Sequence, residues 1–203
     1  MPKKICELVS DLSSPGFIEI LQRLTGIKNL IADPSLQGGG IHQTKTGGFL
    51  NIHADFTVHP LNRRWRRRVN LLIYLTPDWQ ESYEGHLELW SKDMKKCVHR
   101  ISPILSRCVI FNTDEDSYHG VPTPLNCPSN ITRNSIALYY YTDEPLKIKL
   151  KATNYRARPS QDDNKFMIWL DKIIVATYTR VKSKLRLSDQ KIGFILKKFR
   201  RKN

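Results

Sequence analysis

The stretch RVNLLIYLTPDW at residues 68–79 decides the fold class of this chain. It opens with β-branched and aliphatic side chains and closes at Thr76-Pro77-Asp78, a composition typical of turns. Similar short runs, each bounded by turn residues, predict strands at 48–56, 69–75, 86–90, 97–101, 107–111 and 135–141. Several short strands at this spacing indicate a mainly β protein of two antiparallel sheets, the double-stranded β-helix or jelly roll.

Helices are predicted on both sides of this β region. Near residues 15–25, Ser14 can act as the N-cap, Pro15 occupies the first helical position, and Gly26 ends the segment. A second helix is predicted after a capping box at 160–163, with apolar positions at Phe166, Leu170, Ile173, Ile174 and Val181. A third, basic helix is predicted from Ser188-Asp189, with Ile192, Ile195, Leu196 and Phe199 on one face.

The charge is concentrated at the C-terminal end. The 203 residues carry a net charge of +14, but residues 1–145 hold 16 Lys and Arg against 15 Asp and Glu, whereas residues 146–203 hold 17 against 4. We therefore predict a nearly neutral jelly-roll domain at 1–145, including the N-terminal helix, and a basic helical extension at 146–203. The body and the extension are expected to contact different partners.

The cysteine spacing and the hydropathy indicate the cellular compartment in which we expect the chain. Cys6, Cys97, Cys108 and Cys127 form no C-x-x-C pair, which predicts reduced thiols without a zinc knuckle. No apolar run approaches the roughly 18 residues that a spanning helix needs. We therefore expect no transmembrane segment, no cleaved signal and a cytoplasmic chain.

His53-Ala54-Asp55 is the most informative motif for chemistry. Residues two apart in a strand point to the same face, so this imidazole and this carboxylate can lie side by side. His119, at the end of a later predicted strand, can supply a second imidazole. Two histidines and one carboxylate on one side of a metal form the facial triad associated with non-haem Fe(II) oxygenases.

Arg133 and Ser135 open the strand that follows His119. Being two residues apart, the guanidinium and the hydroxyl can face the same pocket as the metal. A buried arginine requires an anionic partner, and its planar fork suits a carboxylate.

Taken in order, these residues resemble those of the Fe(II)- and 2-oxoglutarate-dependent dioxygenases, in the prolyl 4-hydroxylase-like branch. The similarity runs over residues 39–142 and also includes the 68–79 stretch and Gly85-His86-Leu87-Glu88-Leu89. The resemblance implies that His53, Asp55 and His119 bind Fe(II) and that Arg133 binds the distal carboxylate of 2-oxoglutarate. Ser135, Tyr74, Leu72 and Leu87 would line the same cosubstrate pocket.

The resemblance further implies hydroxylation of a C–H bond with O2, with release of succinate and CO2 and with ascorbate as a candidate reductant. A prolyl residue of a protein or peptide is the favoured substrate, and a small molecule remains open. Gln43 is a candidate replacement for a family tyrosine whose position is occupied by Leu50, and residues 58–68 are expected to form a variable loop over the site.

A different class of function also fits the composition. The chain could be a catalytically inactive jelly-roll module that uses its basic tail to hold nucleic acid or an anionic surface. The intact set of metal and cosubstrate residues argues for the enzyme. The tail itself could also pack on the jelly roll with its lysines in water.

Overall fold

The computed structural model describes residues 2–148 and 153–159, together with 166, 168–170, 172–174 and 176–178. Its helices are α1 (Lys3–Leu12), α2 (Pro15–Thr25) and a 3-10 turn at Glu81–Tyr83. Its strands are β1 (Ile31–Ala32), β2 (Gly40–Thr44), β3 (Leu50–Ala54), β4 (Trp65–Tyr74), β5 (Leu87–Trp90), β6 (Cys97–Ile101), β7 (Cys108–Asn112), β8 (His119–Val121), β9 (Arg133–Asp143) and β10 (Asn154–Tyr155).

Two antiparallel sheets form the body of the protein. One has the order β1-β9-β4-β7, with β2 also paired to β9, and the other has the order β10-β3-β8-β5-β6. This arrangement confirms the prediction of a mainly β protein and is consistent with a jelly roll. All six predicted strands are present. Sequence reasoning missed β1, β2, β8 and β10. Strands β1, β8 and β10 have only two or three residues, too few to show a period of two, and β2 has three exposed residues in a row. His119 begins β8 instead of ending a strand as predicted.

The two N-terminal helices differ in whether a side chain caps their first turn. In α2, the Ser14 hydroxyl accepts a hydrogen bond from the Phe17 N–H, and Gly26 ends the helix with a φ of 71°. This helix confirms the prediction. Helix α1 was not predicted because it begins after Pro2 without a side-chain cap. Its signal was the spacing of Ile5, Leu8, Val9 and Leu12 along one face.

The main hydrophobic core lies between the two helices and the outer face of the first sheet. Its buried members are Leu12, Leu21, Leu30, Val69, Leu71, Ile136, Leu138 and Tyr140. Successive residues of a strand face opposite ways. Because Val69 and Leu71 pack against the helices, Asn70 and Tyr74 face the second sheet. The space between the sheets is therefore available for a site.

The C-terminal part departs from the sequence prediction where it is described. The described positions between 166 and 178 are helical. Phe166, Ile173 and Ile174 are exposed, while Ile168, outside the predicted apolar stripe, is buried. The capping box at 160–163, Val181 and the whole third helix lie outside the described residues. The predicted pair of basic helices stays a prediction.

Strand β10 joins the sheet that carries His53 and His119. Asn154 and Tyr155 pair with Ala54 and His53, and the Arg156 N–H donates to the Ile52 carbonyl oxygen at 2.7 Å. The predicted boundary at 145/146 therefore falls in the connection between β9 and β10. The division into domains stays a prediction, and a boundary after residue 159 would keep β10 with the jelly roll.

Truncation tests this boundary. We expect a chain ending at residue 148 to unfold at a temperature about 4–8 °C below that of a chain ending at residue 159, because loss of β10 removes about 2 kcal/mol of hydrogen bonds and packing from the edge of β3. Thermal unfolding followed by circular dichroism measures the difference. Equal melting temperatures would show that β10 contributes nothing to the jelly roll.

Candidate active site

The two histidines and the carboxylate predicted to bind metal come together on neighbouring strands. His53 lies on β3, Asp55 directly follows β3, and His119 begins β8, where it pairs with His53. Nε2 of His53 lies 3.6 Å from Oδ1 of Asp55, and Nε2 of His119 lies 3.3 Å from Oδ2 of Asp55. One ligand atom from each residue lies within 4.8 Å of the others, so the cluster could hold one metal ion.

Both imidazole rings are held with Nε2 towards this cluster. Nδ1 of His53 donates to the carbonyl oxygen of Asn51 at 2.8 Å, and Nδ1 of His119 donates to that of Ser117 at 3.0 Å. A carbonyl oxygen only accepts, so each Nδ1 carries a hydrogen, and in the neutral form of each ring the lone pair lies on Nε2. Hydrogen bonds of this kind orient metal-binding histidines in other proteins.

The charge state of Asp55 also suits a metal. Burial alone would raise the pKa of Asp55, but the positive charge of Arg67, followed by His119 and His53, holds that pKa well below its ordinary value. The carboxylate is therefore ionised at neutral pH. One anionic oxygen and two imidazole nitrogens are the donor set of the Fe(II) facial triad, which leaves three coordination positions open.

A buried arginine without an anionic partner among the described residues lies two positions before Ser135 on β9. Arg133 is 8% exposed, its Nε donates to the Gly85 carbonyl oxygen at 2.8 Å, and its guanidinium lies 4.9 Å from the centre of the Tyr74 ring. It forms no salt bridge with any described residue. The Tyr74 hydroxyl is also buried and makes no hydrogen bond of normal geometry in the described part of the chain, although it interacts with the Arg133 guanidinium. A carboxylate placed here would satisfy both groups.

Burial sets the protonation of this pair. It raises the pKa of Tyr74, an effect that Arg133 partly opposes, so the phenol keeps its proton at neutral pH and can donate a hydrogen bond. Burial also lowers the pKa of Arg133 from its ordinary value, but an arginine remains charged in proteins. The pocket therefore offers donors with a net positive charge, which fits the distal carboxylate of 2-oxoglutarate.

Strand alternation places the other predicted cosubstrate residues on the inner face. Ser135 pairs with Tyr74, and Leu72 is two positions before Tyr74 on the same strand. Leu87 lies two positions before Leu89, which pairs with His119. Paired residues and residues two apart share a face. Ser135, Tyr74, Leu72 and Leu87 therefore all face the space that contains the triad.

Gln43, the predicted replacement for the family tyrosine, points away from this space. It pairs with Asn134, and because the neighbours of Asn134 on β9 face inwards, Asn134 and Gln43 face outwards. Nε2 of Gln43 donates to the Thr132 hydroxyl at 3.1 Å on the exposed surface. The prediction for Gln43 is wrong because it depended on the register of β2 against β9, which the sequence does not reveal.

His42, which sequence reasoning missed, lies on the inner side of β2, although its side chain is exposed to solvent at the end of the first sheet. It pairs with Ser135 and so shares the inner face. Desolvation, and then the positive charges of Arg133 and Arg67, lower the pKa of His42. The imidazole is therefore neutral at neutral pH and can donate or accept a hydrogen bond at the mouth of the pocket.

The arginine run at 63–68 forms the start of β4 and the turn before it, not a long variable loop. Its partners are the Ile148 carbonyl oxygen for Arg63, the Asp143 carboxylate for Arg64 and the Asp114 carboxylate for Arg66. These contacts tie the run to neighbouring loops. Arg67 differs from them because it is buried and lies 2.8 Å from Asp55.

An open cleft leads from solvent to the triad. It has a volume of about 200 Å³ and reaches His119 between β5, β7 and the loop before β8. Its walls include Leu89, Trp90, Phe111 and Tyr118, with Lys92 and Asp116 at the rim. A side chain of another molecule could approach the metal-binding residues through this cleft.

Comparison with known proteins identifies one family and several solved structures of similar fold. A family model described as the 2OG-Fe(II) oxygenase superfamily matches residues 39–141, just over half of the chain. That match covers the triad, Arg133 and the cosubstrate pocket. No curated protein sequence matches the chain.

Solved structures with a similar fold include three prolyl hydroxylases. The chain is similar to a Pseudomonas putida prolyl-4-hydroxylase (20% identity, TM-score 0.41, 64% of this chain and 62% of that one). A Trichoplax adhaerens prolyl hydroxylase, solved with a hypoxia-inducible factor oxygen degradation domain peptide, gives 24% identity, a TM-score of 0.40 and coverage of 61% and 52%. A Phytophthora capsici prolyl 4-hydroxylase gives 19% identity, a TM-score of 0.49 and coverage of 87% of this chain and 52% of that one. The chain spans between about half and three-fifths of the length of these proteins.

Proposed function

Since the chain belongs to the 2OG-Fe(II) oxygenase superfamily, we propose that it is an Fe(II)- and 2-oxoglutarate-dependent dioxygenase that hydroxylates a C–H bond of a protein or peptide. The observation that carries the proposal is the cluster of His53, Asp55 and His119, together with a buried Arg133 that has no anionic partner among the described residues. When bound, Fe(II) and 2-oxoglutarate would react with O2, one oxygen atom entering succinate as CO2 is released and the other entering the C–H bond of the substrate.

The side chains divide the work between two groups. His53 and His119 would hold the metal through Nε2, with their rings fixed by the carbonyl oxygens of Asn51 and Ser117. Asp55 supplies the negative charge. Arg133 would bind the distal carboxylate of 2-oxoglutarate, Tyr74 and Ser135 would add hydrogen bonds, and Leu72 and Leu87 would exclude water from the pocket.

His42 gives a prediction about the cosubstrate. We propose that its neutral imidazole, on the inner face opposite Ser135, hydrogen-bonds bound 2-oxoglutarate. The His42→Ala variant is expected to raise the KM for 2-oxoglutarate about 3- to 10-fold, the value of one hydrogen bond, with little change in kcat. Gln43→Ala is the matched control on the outer face. Equal KM values for the two variants and the parent would contradict this role.

The prime substrate is proposed to be a prolyl residue that enters through the cleft beside His119. Aromatic walls from Trp90, Phe111 and Tyr118 suit an apolar ring. The test is mass spectrometry of peptide libraries after incubation with Fe(II) and 2-oxoglutarate, using matched peptides in which each proline is replaced by alanine. A gain of one oxygen confined to proline supports the proposal. Oxidation of the alanine peptides to the same extent would redirect the search to another C–H bond.

Several predicted partners and conditions stay predictions. Among the described residues, no helix is long and apolar enough to cross a membrane. The cytoplasmic location, the need for ascorbate and the contact between the basic tail and nucleic acid or an anionic surface rest on the sequence alone.

A further inference from the structure

We propose that Arg67 and Asn70 are positioning residues that hold one oxygen of Asp55 in place and thereby leave the other oxygen for the metal. The inference rests on the proposed function, since it assumes that the triad binds Fe(II). It concerns two residues of β4 in the first sheet, whereas the triad lies on the second sheet.

Oδ2 of Asp55 is held by two side chains of β4. Nη2 of Arg67 forms a salt bridge with it at 2.8 Å, and Nδ2 of Asn70 donates a hydrogen bond to it at 2.8 Å. Nε of Arg67 also donates to Oδ1 of Asn70 at 2.9 Å, which closes a ring of three side chains. Oδ2 also lies 3.3 Å from Nε2 of His119, whereas Oδ1 has one longer contact, 3.6 Å from Nε2 of His53. Oδ1 is therefore the oxygen that remains available.

A β-bulge makes this arrangement possible. Arg67 pairs with Tyr141 and Val69 pairs with Tyr140, so Arg68 is an extra residue in β4. In a regular strand, residues three apart face opposite ways. The bulge brings Arg67 and Asn70 to the same inner face, where they are 1% and 2% exposed.

Stacking fixes the plane of the guanidinium. It lies 3.4 Å from the centre of the Tyr139 ring and 4.5 Å from the centre of the Phe56 ring. Nη1 has no hydrogen-bond partner in the described part of the chain, so the geometry depends on these rings and on the bonds to Asp55 and Asn70. A planar fork held in this way directs its Nη2–H at Oδ2, which a flexible lysine would not do.

Positioning and simple charge have opposite effects on metal affinity. A positive charge beside the site repels a divalent cation, so removal of Arg67 by Coulomb's law alone would tighten metal binding. Loss of positioning would instead free Asp55 to rotate and weaken binding, by about 10- to 100-fold for residues that support metal ligands. The direction of the change therefore separates the two roles.

The experiment is an oxygen-free titration of the full chain with Co(II) at neutral pH, followed by visible absorption. The spectrum reports both the dissociation constant and the geometry of the bound ion. The variants are Arg67→Gln and Asn70→Ala. The control is Arg64→Gln, which removes an equal charge from the same region of the chain. The Arg64 side chain contacts Asp143. Far-UV circular dichroism establishes that each variant is folded.

We expect Arg67→Gln and Asn70→Ala to weaken Co(II) binding at least about 10-fold and to change its absorption spectrum, while Arg64→Gln matches the parent. Unchanged or tighter binding with an unchanged spectrum would overturn the inference and leave the proposed function standing. A parent chain that binds no Co(II) would overturn both. If Arg67→Gln does not fold, Asn70→Ala decides alone, because its smaller change leaves the guanidinium in place.

Discussion

Replacing Asp55 with alanine is expected to reduce Fe(II)-dependent release of succinate to background. The carboxylate is the anionic member of the cluster and the residue that both histidines contact, at 3.6 Å and 3.3 Å. Without it, two imidazoles remain, a set that binds Fe(II) weakly. The measurement is succinate formed from 2-oxoglutarate, together with the iron content of the anaerobically loaded protein.

The control for this prediction must address stability. Removing Asp55 leaves the buried Arg67 without its counter-charge, which is expected to cost about 3–5 kcal/mol. His53→Ala, which leaves the Arg67–Asp55 pair intact, is therefore the second variant and should lose the same activity with a smaller loss of stability. Unchanged turnover in either folded variant would remove the triad from the account.

Replacing Arg133 with alanine is the second large effect we expect. It should raise the KM for 2-oxoglutarate about 100-fold, the value of roughly 3 kcal/mol from two charge-assisted hydrogen bonds. Steady-state kinetics with varied cosubstrate measure it, and Arg133→Lys should recover part of the loss because it restores the charge but not the fork.

Arg64→Ala is the matched control for this variant. Nε of Arg64 also donates to a backbone carbonyl oxygen, that of Glu144 at 2.9 Å, but at an exposed position. Its KM for 2-oxoglutarate should equal that of the parent. A KM for Arg133→Ala within twofold of the control would mean that the buried guanidinium serves the fold and not the cosubstrate.

Only part of the triad is local information, since the spacing of His53 and Asp55 places both on one face. His119 was predicted from the ordered resemblance to a family, because its pairing with His53 is a contact between distant parts of the sequence. Arg133 and Ser135, two apart on β9, share a face for the same reason as His53 and Asp55. The mainly β fold and helix α2 could likewise be predicted from periodicity and from capping residues.

The missed features depend on the register between strands. His42 and Gln43 are neighbours in β2 and therefore face opposite ways. The pairing of β2, a strand that was not predicted, with β9 decides which of them faces inwards. The role of Arg67 follows from the bulge at Arg68, which has no signature in a run of arginines. The pairing between strands, which the whole fold determines, decides the positions of His42 and of Arg67.

The most direct test of the account is an anaerobic titration of the folded wild-type chain with Fe(II) and 2-oxoglutarate, followed by visible absorption. It needs no prime substrate. We predict a charge-transfer band that requires both ligands, that is absent in Asp55→Ala and that needs far more 2-oxoglutarate in Arg133→Ala. A wild-type chain that retains no Fe(II) and shows no band would contradict the proposed enzyme and favour a jelly-roll module that binds without catalysis.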